Sequence, residues 1–292
     1  MRPYEIRTYI REKFPKIYSG LFTVFIPFFS LWRNYKVSRF KKKVVHVAKY
    51  GNHKFSIWLD PKNGLVDRSI FIGDVYEPHI LAKIDKYLPK GGFFVDIGAN
   101  IGQHTLFAAS VVGEGGKVVA FEPVSFLADQ LYDSVKLNGF EGRVSLVRKA
   151  CGDEVLVSNI SLKKDNLGGS SLVATTENAE TEEVEVCIPD DLLLGEKRKV
   201  DMIKIDTEGY EFEVVKGLKN TIEKDKPAII LEYSPTLWGD RGLDVGLLML
   251  SYFESLSYQI IDVDHGDFVI DDVKKWVKDF SYQQANLLLL PK

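Results

Sequence analysis

Two cysteines, Cys151 and Cys187, are all that the 292 residues contain, and neither a C-x-x-C pair nor a His/Cys cluster accompanies them. A disulfide framework and a structural zinc site are excluded, and the chain suits a reducing, cytoplasmic setting. Long apolar runs are missing too. The nearest candidate, "IYSGLFTVFIPFFSLW" (residues 17–32), is interrupted by Pro27 and falls short of the roughly 20 residues that a spanning helix needs. It also lacks the short leader and small-residue cleavage site of a signal peptide. No G-K-[ST] follows a glycine loop, which removes a P-loop. Disorder is not expected, because 45% of the residues are hydrophobic and no low-complexity tract or repeat interrupts them.

The net charge of −3 conceals an uneven distribution: residues 1–43 hold 11 Lys/Arg against two acids, and the remainder holds 27 against 39. The acidic remainder offers no basic stripe to follow phosphates, so nucleic acid is not an expected partner. In the basic part, Ile6, Ile10, Phe14, Ile17 and Leu21 recur at helical spacing, and "RFKKK" (residues 39–43) closes it. Two readings stand side by side. Residues 1–43 form a helical segment lying peripherally on the cytoplasmic face of a membrane, or a hairpin packed on the main domain or on a second copy in a homo-oligomer.

Residues 44–292 read as one α/β domain. "VVHVAKY" and "KFSIWLD", joined at Gly51-Asn52, predict a small accessory ribbon within residues 44–75. From residue 76 onward, apolar strands alternate with helical patterns, starting at Phe93–Ile97, Val118–Phe121 and Val144–Val147. The series resumes at Met202–Ile205, Ala228–Leu231, Ile260–Val263 and Leu287–Leu290. This alternation predicts a doubly wound, mostly parallel, Rossmann-like sheet covered by helices on both faces. Residues 154–190, richer in Thr, Ser, Glu and Gly, read as an insertion with one or two antiparallel strands.

"FFVDIGANIGQHTLFAA" (residues 93–109) is the first strand-to-helix turn, where ligands of such sheets bind. Gly98 and Gly102 allow close backbone approach, and Asp96 precedes them. The dinucleotide fingerprint G-x-G-x-x-G is incomplete, since Asn100 holds its middle position. The next strand ends in Glu122, about 20 residues on, where an acid accepts both hydroxyls of a ribose. Asp96 is placed to bind or orient a cationic amino-acid group. A ligand with a ribose and an amine but no pyrophosphate is S-adenosylmethionine.

These segments, taken with "DVYEP", "VVAFEPVSFLADQLYDSVKLNG", "VSLVRKACGD", "GGSSL" and "DMIKIDTEGYEFEVVKGL…PAIILEYSP", resemble the FkbM family of S-adenosylmethionine-dependent methyltransferases over roughly residues 74–235. Cys151 and Thr207 depart from the family's usual small and aliphatic residues. The resemblance implies a seven-stranded sheet and O-methylation of a hydroxyl, often on a carbohydrate or glycolipid. It implies a methionine-side loop of Asp96, Gly98, Asn100 and Gly102, and a ribose acceptor at Glu122 beside Pro123. Asn138, Ala150, Gly152 and Asp153 are then expected near the adenine, although Asn138-Gly139 and Gly152-Asp153 also pass as ordinary turns.

The chemistry is expected at "KIDTEGYE". Asp206 ends the fourth strand, Glu208 follows in the turn, and Glu232 emerges from the neighbouring strand. Three carboxylates at one cleft suit either a general base or a divalent cation such as Mg²⁺ or Mn²⁺. The alternative for Asp206 is a helix cap. Tyr233, Trp238 and Arg241 are expected as an acceptor wall. His104 and His265 carry low weight as a packing residue and a solvated loop residue. Two other classes stay open, a membrane-associated cofactor-binding protein without turnover and a methyltransferase acting on a small-molecule or nucleic-acid acceptor.

Overall fold

The computed structural model describes residue 35 and residues 38–163, 169–173 and 180–292. The expectation for residues 1–43 lies almost wholly outside them. Among the described residues, no helix is long and apolar enough to cross a membrane.

Strands β1 (Val44–Tyr50) and β2 (His53–Leu59) pair antiparallel across the Gly51-Asn52 turn. Alternation along β2 buries Phe55, Ile57 and Leu59 on one face. Helices α1 (Leu65–Gly73) and α2 (Pro78–Tyr87) lead into the central sheet.

That sheet contains β3 (Phe93–Ile97), β4 (Lys117–Phe121), β5 (Val144–Val147), β9 (Met202–Ile205), β10 (Ala228–Tyr233), β11 (Tyr258–Asp262) and β13 (Ala285–Pro291). Its order is β11-β13-β10-β9-β3-β4-β5, and the two-residue β12 (Phe268–Val269) adds an eighth strand beyond β11. β3, β4, β5, β9 and β10 are parallel to their neighbours in this set, whereas β13 runs antiparallel to both β10 and β11. β3 is buried along its whole length, as expected of a parallel strand covered on both faces.

Helices α3 (Gln103–Val112) and α4 (Ser125–Leu137) cover one face, and the β1–β2 ribbon packs on them. The ribbon is fastened at Trp58, whose N–H donates to Ser134 Oγ at 3.0 Å, and by Phe55 set edge-on to Phe107. The other face is covered by α6 (Glu211–Gly217), α7 (Lys219–Asp225), α8 (Gly242–Ser255) and α9 (Val273–Asp279). Each fully buried Phe or Leu in these two cores stabilises the fold by about 1.5–3 kcal/mol relative to exposure.

Strand periodicity decides which residues meet. Phe94 and Asp96 on β3, Met202 and Lys204 on β9, and Ile230 and Glu232 on β10 share one face of the sheet. Their neighbours Val95, Ile203 and Leu231 pack in the opposite core.

Between β5 and β9 lie β6 (Ala150–Cys151), β7 (Leu156–Leu162), β8 (Glu180–Cys187) and α5 (Pro189–Leu193). The three strands form a separate sheet in the order β6-β8-β7, with β7 and β8 antiparallel.

Candidate active site

The turn from β3 to α3 places Gly98, Asn100 and Gly102 at positive φ of 78°, 54° and 88°. A Cβ at Gly98 would lie 1.7 Å from the carbonyl oxygen of Asp206, and one at Gly102 would lie 2.1 Å from Leu131 Cδ1. Both glycines are therefore fixed by neighbouring chain, whatever the ligand. Asn100 holds its left-handed turn with help from Glu122: its backbone N–H donates to Glu122 Oε2 at 2.7 Å. The N–H of Val124 donates to Glu122 Oε1 at 2.9 Å. Burial pushes the Glu122 carboxyl up to about 7, against the pull of these two N–H groups.

At the end of β9, Lys204 is 3% exposed and its Nζ lies 2.8 Å from Asp206 Oδ2 and 3.9 Å from Asp96 Oδ1. Burial pulls this ammonium down, but Asp206 and Asp96 outweigh burial and hold it above its ordinary value. Asp96 is fully buried, with Thr105 Oγ1 donating to its Oδ2 at 2.5 Å. It lies off the cleft wall, which corrects the expectation of a direct contact with an amino-acid group but not that of orienting one through water.

Capping of the next turn falls to Glu211. Its Oε1 accepts the N–H of Thr207 at 3.0 Å and of Gly209 at 2.9 Å, which leaves Asp206 free of the capping duty. Glu208 sits at φ 53°. Asp206, Glu208 and Glu232 each present a carboxylate oxygen, all within 4.8 Å of one another. Burial and the Asp206 charge push Glu208 up to about 7 and Glu232 well above its ordinary value. Glu232 Oε1 accepts from Gln284 Nε2, while Oε2 is buried without a hydrogen-bond partner.

These groups open onto a cleft of about 280 Å³ along the carboxyl ends of β4, β3, β9 and β10. Gly98, Asn100, Glu122, Pro123 and Ala150 line it together with Asp206, Glu208 and Glu232. Gly102 supports the loop from behind.

Three expected adenine-side residues stand elsewhere. The Asn138 side chain accepts the N–H of Ser56 at 2.7 Å and donates to the Ser56 and Ser134 carbonyls, both at 2.6 Å, so it pins the ribbon to α4. Asp153 is exposed and paired with Lys216 at 2.5 Å. Gly152 is packed against α6 instead, where a Cβ on Gly217 would lie 2.0 Å from the Gly152 carbonyl oxygen.

The aromatic acceptor wall is corrected as well. Tyr233 is fully buried and meets Trp238 and Trp276 edge-on, and Trp238 Nε1 donates to Glu211 Oε2 at 3.3 Å. Arg241 is exposed and off the cleft. His104 is buried in α3, and His265 hydrogen-bonds Asp262 at 3.0 Å away from the cleft.

Sequence reasoning passed over Tyr76 and Glu77, which line the cleft from the turn before α2, and Lys204, whose position inside the apolar run "MIKI" was its only signal. It also missed the insertion residues Ile160, Lys163, Ser170 and Leu172, which form a further part of the wall.

The profile of the methyltransferase FkbM domain matches residues 96–260, more than half of the chain. The chain belongs to the FkbM methyltransferase family. A curated relative, methyltransferase sdnD of Sordaria araneosa, is 27% identical over 199 residues, covering 54% of this chain and 76% of the relative. Among solved structures, methyltransferase FkbM of Methylobacillus flagellatus is similar with a TM-score of 0.43 and 14% identity over 92% of this chain and 60% of its own. SMU.1697c of Streptococcus mutans, described as a methyltransferase and solved in complex with SAH, gives 0.43 and 8% over 72% and 93%. The family assignment rests on the sequence match.

Glu122 spends one contact of each carboxylate oxygen on the chain and keeps further acceptor capacity on the cleft wall. Pro123, Leu127 and Cys151 beside it supply apolar surface suited to an adenine ring.

Proposed function

We propose that this methyltransferase acts on a hydroxyl oxygen, that of a sugar in a polysaccharide or glycolipid, with Asp206 facing the acceptor and Glu208 and Glu232 assisting it. The observation that carries the reading is the convergence of the three carboxylates within 4.8 Å on the cleft that Glu122 also lines. The cofactor supplies a methyl group made electrophilic by its sulfonium. Glu122 would hold the ribose, and the backbone at Gly98 and Asn100 would cradle the middle of the molecule. The acceptor hydroxyl must lose its proton as the new bond forms, and a carboxylate within hydrogen-bond reach is suited to take it. Glu208, pushed up to about 7, is suited to pass a proton at neutral pH, and burial and the Asp206 charge hold Glu232 well above its ordinary value beside it.

A wall of acceptor-rich carboxylates matches the many hydroxyls of a sugar. With Tyr233 and Trp238 in the core, the polar wall is what supports a carbohydrate.

The test is Asp206→Asn, which keeps the shape and removes the charge. Turnover should fall on the order of 10²- to 10⁴-fold while S-adenosylhomocysteine affinity changes little. Near-normal turnover on the true acceptor would remove Asp206 from this role. A second reading, a Mg²⁺ or Mn²⁺ ion on the same three carboxylates, is favoured by the buried, unpartnered Glu232 Oε2. Loss of activity on chelation with recovery on adding either metal would select it, and indifference to a chelator would select the base.

A further inference from the structure

Asp96 is buried off the cleft wall, which leaves the cofactor's amino-acid end to another anionic partner on that wall. We propose that Glu77 binds the α-ammonium group of the cofactor. This rests on S-adenosylmethionine being the cofactor.

Four observations carry it. Glu77 lines the cleft, together with Gly98, Asn100 and Asp206. Its backbone is left-handed, φ 45° and ψ 60°, immediately before Pro78, a strained geometry for a residue with a Cβ, and one that persists where the surroundings fix it. The carboxylate does not cap α2: the Ile80 and Leu81 N–H groups bond to the Glu77 carbonyl instead, at 3.0 and 3.2 Å. Among the described residues no hydrogen bond reaches that carboxylate, and its near cationic candidates are otherwise engaged. His104 Nε2 stands 3.8 Å from Glu77 Oε2, too far for a hydrogen bond, and burial holds the imidazole well below its ordinary pKa, hence neutral. Lys204 is committed to Asp206 at 2.8 Å, and His79 to Asp264 at 2.8 Å.

A carboxylate whose side chain is only 20% exposed and which lacks a donor calls for a cationic or donor ligand. Sheet order says which part of the cofactor comes there. A ribose anchored at the end of β4 places the remainder of the molecule over β3 and then β9, about 4.8 Å per strand. Asp206 and Lys204, at the end of β9, are among the charges that act most strongly on Glu77, and Asp206 lines the cleft with it, which suits the β9 end of that path. An ammonium arriving there meets a carboxylate that takes no hydrogen bond from the described residues.

The experiment compares S-adenosylhomocysteine with 5′-methylthioadenosine, which keeps the adenosine and the thioether but has no amino-acid group. Calorimetry on the full chain and on Glu77→Gln reads both affinities. The proposal expects Glu77→Gln to weaken S-adenosylhomocysteine at least tenfold and to leave 5′-methylthioadenosine within about twofold, the loss of a hydrogen bond between charged groups. Retained 5′-methylthioadenosine binding doubles as proof that the variant is folded. Equal weakening of the two ligands would show that Glu77 shapes the cleft in general, and unchanged S-adenosylhomocysteine affinity would show that it binds nothing; either overturns the proposal. Failure of the unsubstituted chain to bind S-adenosylhomocysteine would overturn the cofactor reading itself.

Discussion

Glu122→Ala separates ligand binding from folding in a way the geometry lets one work out. In the folded chain, Glu122 accepts one N–H from Asn100 and one from Val124, at 2.7 and 2.9 Å. Truncation leaves two backbone donors without that partner, at about 1–3 kcal/mol each where water does not replace it. It also removes a buried carboxyl whose pKa stands at about 7 instead of 4.5, and so relieves a desolvation penalty of similar size. The two effects oppose each other, so the thermal midpoint should move by only a few degrees. Ribose binding has no such offset. Hydrogen bonds from a diol to a charged acceptor contribute about 1.5–3 kcal/mol, which is roughly a 10- to 150-fold loss of affinity. Calorimetric titration with S-adenosylhomocysteine on a variant whose melting is checked in parallel measures both quantities. An unchanged affinity in a folded Glu122→Ala chain would refute the ribose assignment.

The pH dependence of stability has a definite sign. Burial pushes Glu77, Glu122 and Glu208 from 4.5 to about 7 and Asp67 from 3.8 to about 6, so the folded chain keeps protons that the unfolded chain releases. Their contribution is complete below about pH 4 and is lost as pH rises to about 7, on the order of 3 kcal/mol per group at most. The cofactor-free protein should therefore melt higher at pH 6 than at pH 8, and the opposite order would contradict the burial of these groups. Asn138→Ala should destabilise the fold by about 1–3 kcal/mol through the freed Ser56 backbone while leaving cofactor affinity unchanged, which denaturant melts and calorimetry report together. Residues 1–43, at +9 against −12 for the remainder, should bind the chain to anionic vesicles in a salt-weakened manner. Equal and negligible sedimentation of the full chain and of a chain starting at Val44 would dismiss that proposal.

Hydrophobic alternation made the central sheet legible in advance, because each apolar run is long enough and well enough separated to be a strand. β12 escaped notice since two residues, Phe268 and Val269, carry no periodicity. Within the site, strand ends can be read from sequence because the residue after an apolar run faces the cleft edge; Glu122 and Asp206 stand at such positions. What period-2 geometry forbids was overlooked once: Glu232 and Tyr233 are consecutive on β10, so they cannot share a face, and Tyr233 belongs to the opposite core. Asn138 was misplaced because the end of α4 meets the ribbon, a contact separated by 82 residues that no local pattern announces. Glu77 comes from a turn ahead of the first sheet strand and reaches the cleft only through the packing of α2.

The contact at Gly98 has a consequence for anyone seeking to alter this protein. Because no side chain fits between that backbone and the Asp206 carbonyl, the turn after β3 and the turn that carries Asp206 and Glu208 pack directly on one another as one clamp. On the proposed assignments, a change that pries it open should lower affinity and rate together. The opposite wall offers more freedom. Ile160, Lys163, Ser170 and Leu172 belong to a separate small sheet and its loops, so exchanging them could redirect the choice of acceptor while the clamp keeps its setting.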